Sequence, residues 1–141
     1  MQDKFIEGTK LDLGITILTE QEIIDFAKAF DPLYFHTDKE AAKKSIFKTL
    51  VASGPHLFTL VHRNKWIPLF GDTVLAGLGV NNWKFIQPVY PNQEIHSSVT
   101  LVKVKINEEK QHAAVTWQYE FKDQKGEMVQ CLEMTVLHKI N

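Results

Sequence analysis

The feature that most constrains this chain is a period of two. Ala113, Val115, Trp117, Tyr119 and Phe121 alternate with Ala114, Thr116, Gln118 and Glu120. Leu132, Met134 and Val136 alternate with Glu133 and Thr135, and Val102, Val104 and Ile106 with Lys103 and Lys105. Successive side chains of a strand point to opposite faces, so each run presents one apolar face. Polar stretches, Asn107 to Gln111 and Lys122 to Glu127, join the runs. The pattern predicts an antiparallel meander with one face turned to a core. An earlier strand is expected over Val74 to Ile86. Its Gly77 and Gly79 mark places where another backbone or a ligand can come close.

Such a sheet needs an apolar partner. Ser53-Gly54-Pro55 opens a segment carrying Leu57, Phe58, Leu60, Val61, Trp66 and Ile67. Proline in a first helical turn presets φ and forfeits no hydrogen bond. The apolar residues cover more than one stripe, which predicts a largely buried helix ending before Pro68. Upstream, Leu11 to Leu18 reads as a strand. Thr19 and Glu22 have the capping-box spacing, and Ile23, Phe26, Ala27 and Phe30 form one helical face. That helix should stop at Phe30, because Pro32 disfavours a helical Asp31. Thr37 and Glu40 repeat the capping spacing before a short helix to about Lys44, and Thr49 to Ala52 is strand-like. The order is strand, helices, one buried helix, then four strands. It predicts an α+β fold, a curved antiparallel sheet wrapped around a central helix.

Composition narrows the function classes. The 141 residues are expected to form one domain, 1–141. Net charge is −1 and Arg63 is the only arginine, so neither a nucleic acid nor an acidic membrane is an expected partner. Cys131 stands alone, which rules out an internal disulfide and a thiolate cluster. His96, His112 and His138 lack metal-ligand spacing, so no metal is expected. Met1 to Lys10 is charged, without the apolar stretch of a signal peptide, and no apolar run approaches the ~20 residues of a membrane span. A cytoplasmic setting is the expectation.

The chemistry concentrates on Phe30-Asp31-Pro32-Leu33-Tyr34-Phe35-His36. Asp31 and His36, on a bent loop, can converge on one water. The imidazole exchanges protons near neutrality and the carboxylate orients the water or carries a second proton. The start of the central helix offers unpaired N–H groups and a positive dipole end. Pro55 has no N–H, so Gly54 is the favoured donor, and without a side chain it admits a carbonyl closely. Proton chemistry beside a carbonyl fits that set. Helix capping by Asp31, Thr37 or Asp38, and a merely packed His36, are the structural alternatives. His56 could line the pocket mouth or be a buried, hydrogen-bonded histidine. His62 and Arg63 could meet a phosphate, or have a surface or dimer role.

Between Ile24 and His56 the chain contains "FAKAFDPLYFHTDKEAAKKSIFKTLVASGPH", and a weaker match follows in "GLGVNNWKFIQPVYPNQEI", Gly77 to Ile95. These stretches resemble the MaoC-like dehydratases, which include the R-specific enoyl-CoA hydratases. The resemblance implies the hot-dog fold, an antiparallel sheet around a long central helix, usually paired as a homodimer or a dimer of dimers. It implies an acyl thioester of CoA or an acyl-carrier protein as substrate, with no further cofactor. Asp31 and His36 would activate water, and Gly54, flanked by Ser53 and His56, would hold the thioester oxygen. The chain departs from the family pattern in three places. Pro32 follows Asp31 directly, Phe47-Lys48 replaces a Phe-Gly turn, and His62 stands where some hydratases carry a serine. A hot-dog thioesterase and a non-catalytic acyl-binding subunit are the rival functions. The central segment Leu57 to Trp66 holds no Asp or Glu to serve a thioesterase as base.

Overall fold

The period-two runs fold as the outer wall of the molecule. A computed structural model describes residues 5–140; the first four residues of the charged Met1–Lys10 segment and Asn141 lie outside it. Five antiparallel strands form one sheet: β1 (Lys10–Ile17), β2 (Val74–Phe85), β3 (Glu94–Asn107), β4 (His112–Lys122) and β5 (Met128–Lys139). Their order across the sheet is β1-β3-β4-β5-β2. The chain thus builds three strands as a meander and lays β1 and β2 on the two edges.

The core face follows the alternation in β4, where Ala113, Val115, Trp117, Tyr119 and Phe121 are all buried. In β5 the inward set is Gln130, Leu132, Met134, Val136 and His138. β3 departs from its pattern. Ile95, Ser97, Val99 and Leu101 face inward, then a register shift between Leu101 and Lys103 leaves Val102 as the extra residue. A bulge of this kind sets one residue outside the pairing. Val102 is therefore exposed, whereas Ile106, paired with inward-facing Ala113, is exposed near the end of the strand.

The helix that the sheet covers is α4 (Gly54–Val61), continued by a π-turn, His62–Trp66, and α5 (Ile67–Phe70). It runs through Pro68 instead of ending before it. The Ile67 N–H reaches back to the His62 carbonyl, five residues away. That widened turn relieves the clash a proline ring makes with the preceding turn of an α-helix. Leu57, Val61, Trp66 and Phe70 are buried, while Arg63, Asn64 and Lys65 face outward.

α1 (Glu20–Phe30) begins with the expected capping box: Glu22 N–H donates to Thr19 Oγ1 and Thr19 N–H to Glu22 Oε1. It buries Ile23 and Ala27, but Phe30 is exposed at its end. Two short helices follow, α2 (Tyr34–Thr37) and α3 (Lys39–Ala42). The cap of α3 is Asp38, whose carboxylate accepts from the Glu40 and Ala41 amides. Thr37 is instead the last residue of α2, its hydroxyl donating to Leu33 O. Thr49 to Ala52 pairs into no strand. Leu50 to Ala52 is a buried segment held by Val51 N–H to Phe35 O and Ala52 N–H to Val89 O, and Thr49 is exposed. Among the described residues no helix is long and apolar enough to cross a membrane.

Candidate active site

Asp31 is the residue at which α1 stops. Its N–H still bonds to Ala27 O, and its carbonyl accepts from Leu33 N–H. Pro32 forces the chain out of the helix, and α2 then winds one turn, with His36 N–H bonding to Leu33 O. The Pro32-Leu33-Tyr34-Phe35 stretch is therefore a compact turn that brings His36 back onto Asp31. His36 Nε2 lies 3.5 Å from Asp31 Oδ2.

The imidazole is oriented from behind. His36 Nδ1 is 2.6 Å from the Val51 carbonyl. A carbonyl only accepts, so Nδ1 carries the hydrogen and Nε2 is the nitrogen presented to Asp31. The carboxylate is oriented too, because Ser53 Oγ–H donates to Asp31 Oδ2 at 2.7 Å. His36 is buried and the Asp31 side chain is one-third exposed. An imidazole lone pair and a carboxylate at this separation suit a shared donor, as a water would be.

Both groups line a pocket of about 400 Å³. Ser53 and Gly54 form part of its floor at the start of α4. Its apolar walls include Phe35, Phe47, Phe85, Ile86 and Val89. Gly54 lets the Phe85 ring lie close over the helix start: a Cβ at this position would stand 2.8 Å from that ring, which would have to shift. Lys48, beside Phe47, has φ 63°, the left-handed backbone that glycine adopts freely and lysine does not. The turn keeps the shape that a Phe-Gly pair would give it.

Not every candidate reaches the pocket. Asp31, His36, Ser53 and Gly54 come together, but His56 lies outside the lining. It is stacked flat on Phe26, with centroids 4.2 Å apart and planes 3° apart. Burial pushes its pKa down to about 4, against a weaker upward pull from Glu22. His62 stacks on Trp66 and shares a 3.1 Å hydrogen bond with the Tyr119 hydroxyl, so it is not a surface group for phosphates. Burial lowers the His62 pKa and raises that of the Tyr119 phenol. Arg63 is exposed. Gln130 lines the pocket although the alternation alone did not single it out. Its signal was present in the sequence: a polar side chain on the inward face of β5, in line with Leu132 and Met134. Among the described residues no group of His, Cys, Asp and Glu side chains could hold a metal ion.

Residues 6–123 match the MaoC like domain. The Bacillus subtilis (strain 168) protein YdeM, itself uncharacterized, is 33% identical over 102 residues, covering 71% of this chain and 72% of that one. Protein MaoC of Klebsiella aerogenes is 38% identical over 88 residues; the match covers 59% of this chain and only 25% of that protein. Among solved structures, a MaoC-like dehydratase from Rhodospirillum rubrum superposes with TM-score 0.86 at 28% identity, over 97% of this chain and 94% of that one. R-hydratase PhaJ1 from Pseudomonas aeruginosa, at 19% identity, shares the fold with TM-score 0.76 over 99% of this chain and 85% of that one. The chain has the hot-dog fold and belongs to the MaoC-like dehydratase domain family.

Proposed function

We propose that the pocket adds water to trans-2-enoyl thioesters, giving R-3-hydroxyacyl thioesters, and removes it in reverse. The observation that carries this reading is the convergence of His36 Nε2 and Asp31 Oδ2, 3.5 Å apart, in the pocket that also contains the Gly54 helix start. In the forward direction His36 Nε2 takes a proton from the bound water while its oxygen bonds to C3 of the enoyl chain. The C2–C3 π electrons move toward the thioester oxygen, where the Gly54 N–H stabilises the enolate. The imidazolium then gives its proton to C2, which leaves neutral His36 and the hydroxyacyl product. Asp31, held by Ser53, orients the water and stabilises the imidazolium in between. CoA or an acyl-carrier protein would carry the acyl group, and no further cofactor is needed.

Two observations favour this chemistry over its rivals. The central helical segment Gly54 to Phe70 carries no Asp or Glu, the base a hot-dog thioesterase would use. An apolar-walled pocket reaching His36 suits an acyl substrate better than a purely structural pair. We further propose a homodimer, alone or within a dimer of dimers, joined through β2. This edge strand exposes Leu75 and Leu78, and an apolar edge invites pairing. Light scattering of the purified chain reads that state directly, and a monomer at micromolar concentration would refute it.

Hydration is followed as loss of the conjugated-thioester absorbance across enoyl-CoA substrates of graded length. Asp31→Asn and His36→Ala should each lower kcat/KM by about a thousandfold or more, within the range of general acid–base catalysis. Folded wild-type protein that hydrates no member of the series refutes the reading. If both variants keep activity, the roles given to Asp31 and His36 are wrong.

A further inference from the structure

A second cavity lies beside the central helix, apart from the active-site pocket. It is an apolar groove of about 550 Å³, between the helix and the β2–β5 side of the sheet. Phe58, Trp66, Val80, Met134 and Val136 are among the residues lining it. The first cavity ends at Phe85 and Gln130, which are cross-strand partners. The second includes Val80, five positions earlier on β2, opposite Met134.

Trp83 sits between them. It lines neither cavity but touches residues of both. Its ring meets Phe85 at 5.5 Å on the pocket side and Phe58 edge-on at 5.3 Å on the groove side. Its indole N–H donates to Gln130 Oε1 at 3.0 Å, and Gln130 Nε2 in turn donates to the Gly54 carbonyl at 3.1 Å. The wall is thus tied to the helix start that forms the pocket floor. The backbone explains how a side chain on an edge strand comes to point inward. The β2–β5 register breaks between Asn81 and Lys84, with Asn82 at φ 53°. A bulge re-aims a side chain in this way. Trp83 is the one half-buried residue in a strand whose other positions are exposed.

We propose that Trp83, locked by Gln130, is the partition that sets the acyl-chain length of the substrate. This rests on the hydratase reading of the pocket. A thioester with its oxygen on Gly54 keeps its carrier toward solvent and turns its tail to the buried side. On that side stand Gln130, which is 2% exposed, and Trp83 behind it. A short chain ends against this wall. Removal of the indole joins the pocket to the groove, where a longer tail finds the apolar lining of Phe58, Val80 and Met134. Trp83 is therefore a specificity-determining residue, and Gln130 positions it.

The test compares wild type with Trp83→Ala and the milder Trp83→Leu, using crotonyl-CoA and trans-2-octenoyl-CoA. Each buried methylene is worth a factor of about four, so four extra methylenes leave ample room for a large change. The octenoyl-to-crotonyl ratio of kcat/KM should rise at least tenfold in both variants. A ratio within twofold of wild type in either folded, active variant overturns the partition. If wild type hydrates neither substrate, the hydratase reading fails separately. Calorimetric binding of butanoyl-CoA and decanoyl-CoA then decides the partition alone. A tenfold gain for decanoyl-CoA in the variants keeps it, and an unchanged ratio or no binding overturns it.

Discussion

His36 and His56 are equally buried, each 5% exposed, and they flank the same helix start. Their surroundings make them different groups. His36 has its Nδ1 bound to the Val51 carbonyl, a carboxylate 3.5 Å from Nε2, and a place in the pocket wall. His56 has an aromatic plate against its face, and its Nδ1 is buried without a hydrogen-bond partner among the described residues. An imidazole so desolvated is held neutral and packs as a flat apolar ring. Burial alone therefore does not make a histidine a base. A fixed tautomer, a nearby carboxylate and access to substrate do.

The sharpest way to break this comparison is to remove each ring in turn. His36→Ala should lower hydration about a thousandfold or more. His56→Phe keeps a ring to stack on Phe26 and removes the unpartnered nitrogen, so it should change kcat/KM by less than about threefold. His56→Leu serves the same purpose if phenylalanine overfills the site. Steady-state kinetics on enoyl-CoA substrates checks both. A large loss in a well-folded His56 variant would erase the distinction.

The two histidines also show how far sequence reaches. Asp31, His36 and Gly54 were legible because local rules place them: a capped helix that must stop before Pro32, and a proline-opened helix at Pro55. Their convergence depends on α2 turning back, which the Asp31–His36 spacing allows but does not require. His56 was not separable from His36 by sequence, because its neighbour Phe26 comes from thirty positions earlier. The same holds for Gln130, whose partners Trp83 and Gly54 are 47 and 76 positions away. In the fold, the β4 alternation was legible since both faces have fixed environments. The bulge at Val102 was not, because an extra residue leaves apolar and polar types alternating in sequence while changing the pairing. Pro68 misled for a different reason: the rule that proline ends a helix assumes an α-turn before it, and here a π-turn precedes it.

A second difference between the rings is thermodynamic. The His56 pKa is near 4 in the folded chain and about 6.5 when unfolded. Between those values the unfolded state binds a proton that the native state does not, so stability rises with pH. The contribution is fully present above about 6.5 and is lost as pH falls toward 4. Its full size is about 3 kcal/mol at most. His56→Phe should therefore lose less stability than wild type between pH 7 and pH 4.5, measured by urea unfolding at each pH. The groups common to both proteins cancel in the difference, except for the minor coupling between His56 and the Glu22 carboxylate. Parallel losses in the two proteins would mean that His56 is not held neutral.

Ser53 offers the smallest and most specific test, because its hydroxyl meets the acid–base pair through Asp31. Its buried hydroxyl donates to Asp31 Oδ2, the same oxygen that faces His36. Without it the carboxylate loses one of the contacts that fix its rotamer, and Asp31 is one-third exposed, free to turn toward solvent. Ser53→Ala should lower kcat about tenfold, comparable to one hydrogen bond to a charged group, with KM within twofold. Ser53→Thr retains a hydroxyl on the same carbon and should recover most of the lost kcat. Recovery distinguishes an oriented carboxylate from a disturbed helix start, since threonine adds a methyl group where alanine adds nothing. If alanine has wild-type kcat, Asp31 is aligned by its backbone alone. If threonine is as slow as alanine, the effect belongs to packing around Gly54 and not to the hydrogen bond.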